Sequence, residues 1–311
     1  MRLWPLAFLV VLAVPAAAAQ PAHPVVVEVD LLVISFGNYD ANKGTYTMDL
    51  YLHLSYDAMH SGGIDPTHFE FVNGRAASKE LQSDDTNATT GIRDLWYRLQ
   101  VNLYAEPHFE NYPYDAQILS LQLEDAVHTD SELVYRDALT GTGIDPDIHV
   151  AGWRIDNAGA TVAPKVYAFG ETYSRFAYQV QVSREPLSAT LRAFLPPLAF
   201  MIVSALSFFL HASKVAQRLT LGTSMLIAAV GFHISQTVSL PTLGRLTLFD
   251  QLMLAAYAFL AASLAVTALV AYNEDFRKDD KTAARSTRIN VRGAVLAAAL
   301  PVLVFLALRF L

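Results

Sequence analysis

The sequence predicts an all-β sandwich followed by a four-helix transmembrane bundle, and three observations carry that prediction. Residues 25–184 are dominated by runs in which apolar and polar side chains alternate, the mark of half-buried strands. After them come four apolar segments, at about 190–211, 217–240, 248–272 and 292–311, each near the length needed to span a bilayer. Charge divides at the same place. Residues 21–190 hold 24 acidic and 10 basic side chains, whereas residues 191–311 hold 5 and 11. The chain therefore divides into 1–19, 20–186 and 187–311.

Residues 1–19 read as a secretory signal: Arg2, an apolar run, then Ala17-Ala18-Ala19 as a cleavage site. That places the β-domain outside the cytoplasm. Within this domain Val25 to Val33 forms a long first strand, and residues 36–44 form a turn cluster. Thr45 to Tyr56 alternates with Tyr46, Met48, Leu50, Leu52 and Leu54 on one face. Further strands are expected at Leu95 to Tyr104, Ile118 to Leu123 and Phe176 to Val182, while the polar stretch Ala76 to Gly91 reads as a mobile loop. Strands at this spacing suggest a sandwich of the immunoglobulin-like kind. Cysteine is absent, which excludes disulfides and thiolate metal sites.

In the membrane part, Lys214 and Arg218 lie between the first two apolar segments, and Arg277, Lys278, Lys281, Arg285 and Arg288 between the last two. By the positive-inside rule both loops face the cytoplasm. The second segment carries a further pattern. At about 100° per residue, Thr220, Ser224, Ile227, Gly231, Ile234 and Val238 fall within about 40° of one line. The line is hydroxylic at one end and small or apolar at the other. A ring of such helices would enclose a pore with hydroxyl rings below an apolar gate. His233 is placed about 60° to one side of this line, where protonation could act on the helix.

Several motifs in order now resemble the pentameric ligand-gated ion channels. Phe109 to Leu119, with Tyr112-Pro113-Tyr114-Asp115-Ala116-Gln117 at its centre, is similar to that family's aromatic-Pro-aromatic-Asp-x-Gln loop. Ala105 and Leu119 stand where animal members have cysteines, so the chain resembles a bacterial member. Gly152-Trp153, Arg184, Pro196, the bracket Arg218-Leu219 to Leu240-Pro241, and Phe249-Asp250-Gln251 follow in the family's order.

The resemblance implies a homopentamer, each subunit with four identical partners around a central pore, set in the bacterial inner membrane with the sandwich in the periplasm. It implies pore-lining roles for Gln217, Thr220, Ser224, Ile227, Gly231, Ile234 and Val238. Cation channels of the family usually carry glutamate where Gln217 stands, so the acidic outer domain is what favours cations. Asp40, Asp115 and Arg184 match a cluster at the sandwich–membrane junction, and with Tyr112, Pro113, Tyr114, Pro241 and Arg245 would couple sandwich to pore. Tyr135, Tyr167, Phe169, Tyr173 and Phe176 fall on one side of the implied agonist site and Tyr51 and Tyr97 on the other, where aromatic rings would suit an amine. The expected partners are membrane lipid, permeant inorganic ions and a small-molecule or proton agonist, not nucleic acid. No cofactor or metal is expected, and no hydrolase or phosphate-binding motif is present. The expected function is a ligand-gated ion channel, cation-conducting. The alternative is a non-conducting membrane sensor built on the same binding domain.

Overall fold

The computed structural model describes residues 23–238, 240–241, 244–276 and 281–309. The segment read as a secretory signal lies outside the described residues. Ten strands form two facing sheets. Strands β1 (Val25–Asp40), β2 (Thr45–Asp57), β3 (Phe69–Phe71), β4 (Gly74–Thr86) and β5 (Ile92–Tyr104) are followed by β6 (Ala116–Asp125), β7 (Leu133–Asp137), β8 (Gly143–Ile144), β9 (Trp153–Val166) and β10 (Thr172–Arg184). One sheet has the order β4-β5-β2-β1-β7, with β8 also on β1; the other is β3-β6-β10-β9.

The core follows from alternation. On β2, Tyr46, Met48, Leu50, Leu52 and Leu54 are buried while their neighbours face outward. They meet Leu119, Leu121, Leu123, Phe176, Tyr178, Val180 and Val182 of the opposite sheet in one hydrophobic cluster. Two expectations need correction here. Residues 76–86 are not a loop: they belong to β4, which pairs antiparallel with β5 along its length. The turn expected at 36–44 is shorter, because β1 runs on to Asp40 and stays paired with β2 through two irregular steps.

The membrane part comprises α1 (Pro186–Ala205), α2 (Val215–Thr237), α3 (Leu248–Phe276) and α4 (Thr282–Arg309), with a 3-10 turn, Leu206–Phe209, after α1. All four helices are long and apolar enough to cross a membrane. The last one starts about ten residues earlier than expected, since nearly three polar turns precede its apolar run. Helix α3 is central and packs on the other three. Small residues allow the close approaches: a Cβ built at Gly222 would meet the Leu264 side chain, and one at Gly293 the Val266 side chain. Ser204 and Ser207 share hydroxyl contacts with Ser263 in the buried seam between α1 and α3.

Sandwich and bundle are joined with almost no linker. Strand β10 ends at Arg184 and α1 begins at Pro186, leaving Glu185 as the single intervening residue, extended at ψ 116°. Proline suits this first helical position, where no N–H is needed. A second tie comes from the β5–β6 loop, which accepts backbone bonds from the start of α3: Leu248 N to Glu110 O at 3.3 Å and Phe249 N to Tyr112 O at 3.1 Å.

Candidate functional site

Three groups of residues carry the functional argument: a line along α2, a junction between sandwich and bundle, and an aromatic cluster at the far end of the sandwich.

On α2 the burial splits cleanly by face. Arg218, Gly222 and Ala229 are its buried residues, and at about 100° per residue they lie about 160–200° from Thr220. Gln217, Thr220, Ser224, Ile227, Gly231, Ile234 and Val238 are all exposed in the single subunit, on the opposite side. Ile227 is 74% exposed and Val238, the C-cap, 77%. A Cβ on Gly231 would meet nothing within 4 Å. The Thr220 hydroxyl also donates back to its own helix, to Ala216 O at 2.9 Å. Arg218 turns away from this line and hydrogen-bonds Asn290 of α4, which in turn donates to Phe208 O. Its Nε and Nη1 have no partner among the described residues.

His233 is not beside the line. Thirteen positions from Thr220, it lies about 140° round the helix, and it faces α3. Its Nε2 meets Asp250 Oδ1 at 2.9 Å and its Nδ1 meets the Tyr257 hydroxyl at 3.1 Å. Asp250 Oδ2 also accepts from the Thr247 backbone and hydroxyl, so one carboxylate ties α2 to the start of α3. The α3 interior had no sequence signal for this bond beyond the acid at Asp250.

At the junction, Asp115 is buried and accepts from Arg184 Nε at 2.7 Å and from Gln117 Nε2 at 3.0 Å. The Arg184 guanidinium lies 4.5 Å from the Trp153 ring centre and 5.2 Å from that of Tyr112. Tyr112 meets Phe249 edge-on at 5.9 Å, and Phe249 meets His233 at 5.6 Å. Ring contacts thus run from Arg184 to α2. The Tyr114 hydroxyl bonds Thr190 of α1 at 2.8 Å, and Pro113 follows Tyr112 in the cavity of about 500 Å³ that Trp153, Arg184, Arg192 and Gln236 help to line. Asp40 does not join the ion pair. It bonds Lys43 at 3.2 Å and caps the β1–β2 turn through the Asn42 and Lys43 N–H groups, because two free turn amides and a lysine are nearer than Arg184. Its neighbour Tyr39 packs on Trp153 instead, where burial, then the Asp115 carboxylate, hold the phenol well above its ordinary pKa. Pro241 and Arg245 line a cleft of about 490 Å³ with Thr237 and Asp250; Thr242 and Leu243 between them lie outside the described residues.

The expected agonist aromatics separate into two sets. Tyr135, Phe176 and Tyr97 are sandwich core, at 1%, 0% and 4% exposure, and cannot offer a ring to a ligand. Their strand parity puts them there: Tyr97 alternates with Leu95 and Leu99, and Phe176 with Tyr178 and Val180. Tyr51 faces outward under the Arg98 guanidinium at 4.9 Å. Tyr167, Phe169 and Tyr173 do come together on the β9–β10 hairpin. Phe169 stacks on Tyr167 at 5.2 Å and Tyr173 meets it edge-on at 5.8 Å. Gly170, at φ +92°, makes the turn that lets Phe169 fold back. Beneath the rings, Arg175 bonds Glu124 at 2.5 Å, Gln122 at 2.9 Å and the Tyr167 hydroxyl at 3.0 Å. Tyr167 also donates to Glu124 at 2.8 Å. Residues 122, 124 and 175 escaped the sequence reading because nothing local links β6 to β10.

The class these parts define is a multi-pass membrane protein with a β-sandwich outside the membrane and a polar-to-apolar face left open on its second helix. Residues 193–304 match the family model described as the neurotransmitter-gated ion-channel transmembrane region. The chain is 24% identical over 254 residues to a proton-gated ion channel of Gloeobacter violaceus, covering 76% of this chain and 70% of that protein. It is 26% identical over 274 residues to the gamma-aminobutyric acid receptor subunit alpha-3 of Bos taurus, covering 79% of this chain and 55% of the receptor subunit. A pH-sensitive chloride channel 2 of Anopheles gambiae is 24% identical over 186 residues, 56% of this chain and 30% of that protein. The family model and these relatives are of ion channels and not of enzymes, and over about three quarters of its length the chain is similar to ligand-gated members.

Proposed function

We propose that five copies of this chain assemble in a bacterial inner membrane, sandwich outward, as a ligand-gated ion channel. The observation that carries the reading is the exposed α2 line from Gln217 to Val238, opposite the face that packs on the rest of the bundle. Five such lines, brought together, enclose a path in which Gln217, Thr220 and Ser224 meet ions with oxygens. Ile227, Gly231, Ile234 and Val238 form the apolar part, which closes by dewetting.

The pore conducts cations. Arg218 is withdrawn behind the lumen on Asn290, so the first ring is the neutral Gln217 amide. The 24 acidic against 10 basic side chains of residues 21–190 then concentrate cations above the pore. Agonist binds at the β9–β10 hairpin, where Tyr167, Phe169 and Tyr173 offer ring faces to an amine, with Tyr51 of a neighbouring subunit opposite. Its signal descends β10 to Arg184 and Asp115, then through Tyr112 and Phe249 to α2.

The test is current through the purified protein in planar bilayers under a salt gradient, while scanning a panel of small amines and pH. Gated current with a cation reversal potential supports the reading. An anion reversal potential removes the selectivity argument, and absence of current under all conditions from a pentameric sample favours a non-conducting sensor.

A further inference from the structure

The junction cavity holds more cationic side chain than the coupling path uses. Its volume of about 500 Å³ is in the range of small-molecule sites. Three guanidinium groups line it, those of Arg154, Arg184 and Arg192, against one carboxylate, Glu185. Arg154 is committed, to Asp156 at 2.8 Å through Nε and to Ser183 at 3.4 Å through Nη2. Arg184 turns only Nε to Asp115, and its two terminal nitrogens make no hydrogen bond among the described residues. Arg192, exposed on α1, makes no hydrogen bond or ion pair among them.

Helix α1 turns one face to this cavity. Glu185 at its N-cap, then Ser188, then Arg192 follow at three- and four-residue steps, so they stand one above another. Burial holds the Tyr112 phenol above its ordinary pKa, and the cations that oppose this are Arg184 and Arg192, which puts both beside one ring. Trp153 and Pro113 supply apolar wall. Open donors therefore outnumber acceptors, and a free guanidinium edge presents the paired N–H groups that fit a carboxylate. We infer that the cavity binds a small water-borne carboxylate between Arg184 and Arg192, its apolar end against Pro113 and Trp153. The volume and the ring walls select an organic anion over a halide. Glu185, on the same face, opposes a second negative charge. The ligand would tie the end of β10 to α1 beside the Asp115 pair.

The experiment titrates sodium propionate into the purified protein in phosphatidylcholine nanodiscs by isothermal titration calorimetry, with sodium chloride at matched ionic strength as reference. Wild type should give saturable heat with propionate and none with chloride. Affinity should fall roughly tenfold in R192Q. R288Q, at the far end of the membrane part, should leave it unchanged. E185Q removes the one opposing charge and should tighten binding about threefold, a gain that a misfolded variant cannot give. Unchanged affinity in R192Q, weaker binding in E185Q, or equal heat with chloride overturns the assignment. Loss of propionate binding when phosphatidylglycerol replaces part of the phosphatidylcholine would make the cavity a lipid-headgroup site and overturn the free carboxylate. No arm depends on conduction, so failure here leaves the channel reading intact.

Discussion

Replacing Asp115 by asparagine isolates the junction ion pair without changing its shape. The carboxylate is fully buried, with one oxygen 2.7 Å from Arg184 Nε and the other 3.0 Å from Gln117 Nε2. Asparagine keeps one acceptor and substitutes a donor for the other. Gln117 cannot turn to accommodate it. Its own amide is locked by His108, whose N–H donates to Oε1 at 2.8 Å and whose carbonyl accepts from Nε2 at 2.7 Å. The variant thus weakens a charge-assisted bond and opposes two buried donors, together about 3 kcal/mol. For a domain of this size that lowers the unfolding midpoint by roughly 6–12 °C. Trp153, stacked on Arg184, reports the loss by fluorescence. A midpoint within about 2 °C of wild type would refute the argument. So would a cycle with Arg184→Gln in which the two changes simply add, because partners in contact should couple.

Other consequences can be checked in the same preparations. Ile227→Ser removes an exposed apolar side chain worth about 2 kcal/mol per subunit from the proposed gate; bilayers should show leak or opening at about tenfold lower agonist, and unchanged gating would exclude Ile227 as the gate. Gly293→Ala places a Cβ 2.5 Å from Val266 Cγ2, so it should cost about 1–3 kcal/mol and lower the unfolding midpoint. Gly231→Ala, with open space around it, should not lower that midpoint. The buried phenols set an alkaline limit: burial raises Tyr39, Tyr46 and Tyr135, and lifts Tyr178 to about 12. Each is raised above its unfolded value, so this stability is whole below about pH 10 and is lost as pH climbs toward the folded values. Phenolate absorbance should lag behind free tyrosine and rise with unfolding; full ionisation near pH 10 in intact protein would contradict it.

The parts of this molecule that sequence announces are those with a face to hide. Strand β2 was legible because every second residue is buried, and α2 because its exposed line and its buried Arg218-Gly222-Ala229 face have opposite chemistry. Strand β4 was not, since it is an edge strand with both faces largely in solvent and so has no apolar period. The first turns of α4 were missed for a related reason: apolarity located the span, while Thr282 to Asn290 is helical through packing of Ser286 on α3. Among the aromatics, Tyr97 and Phe176 were misplaced although their alternation with Leu99 and Val180 already pointed inward. The Arg175–Glu124 pair, 51 positions apart in the chain, becomes visible only when β6 and β10 are side by side.

The single residue between β10 and α1 has a mechanical consequence. A joint of one extended residue, closed by a proline whose φ is fixed, has no slack in which to store rotation. Any twist of the β6–β10 sheet about its long axis must appear as torque at the head of α1, as through a rigid shaft. Lengthening the joint by two or three glycines would leave each half folded while turning that shaft into a tether, so that only the β5–β6 loop, through Tyr112 on Phe249, would still carry motion to the membrane helices.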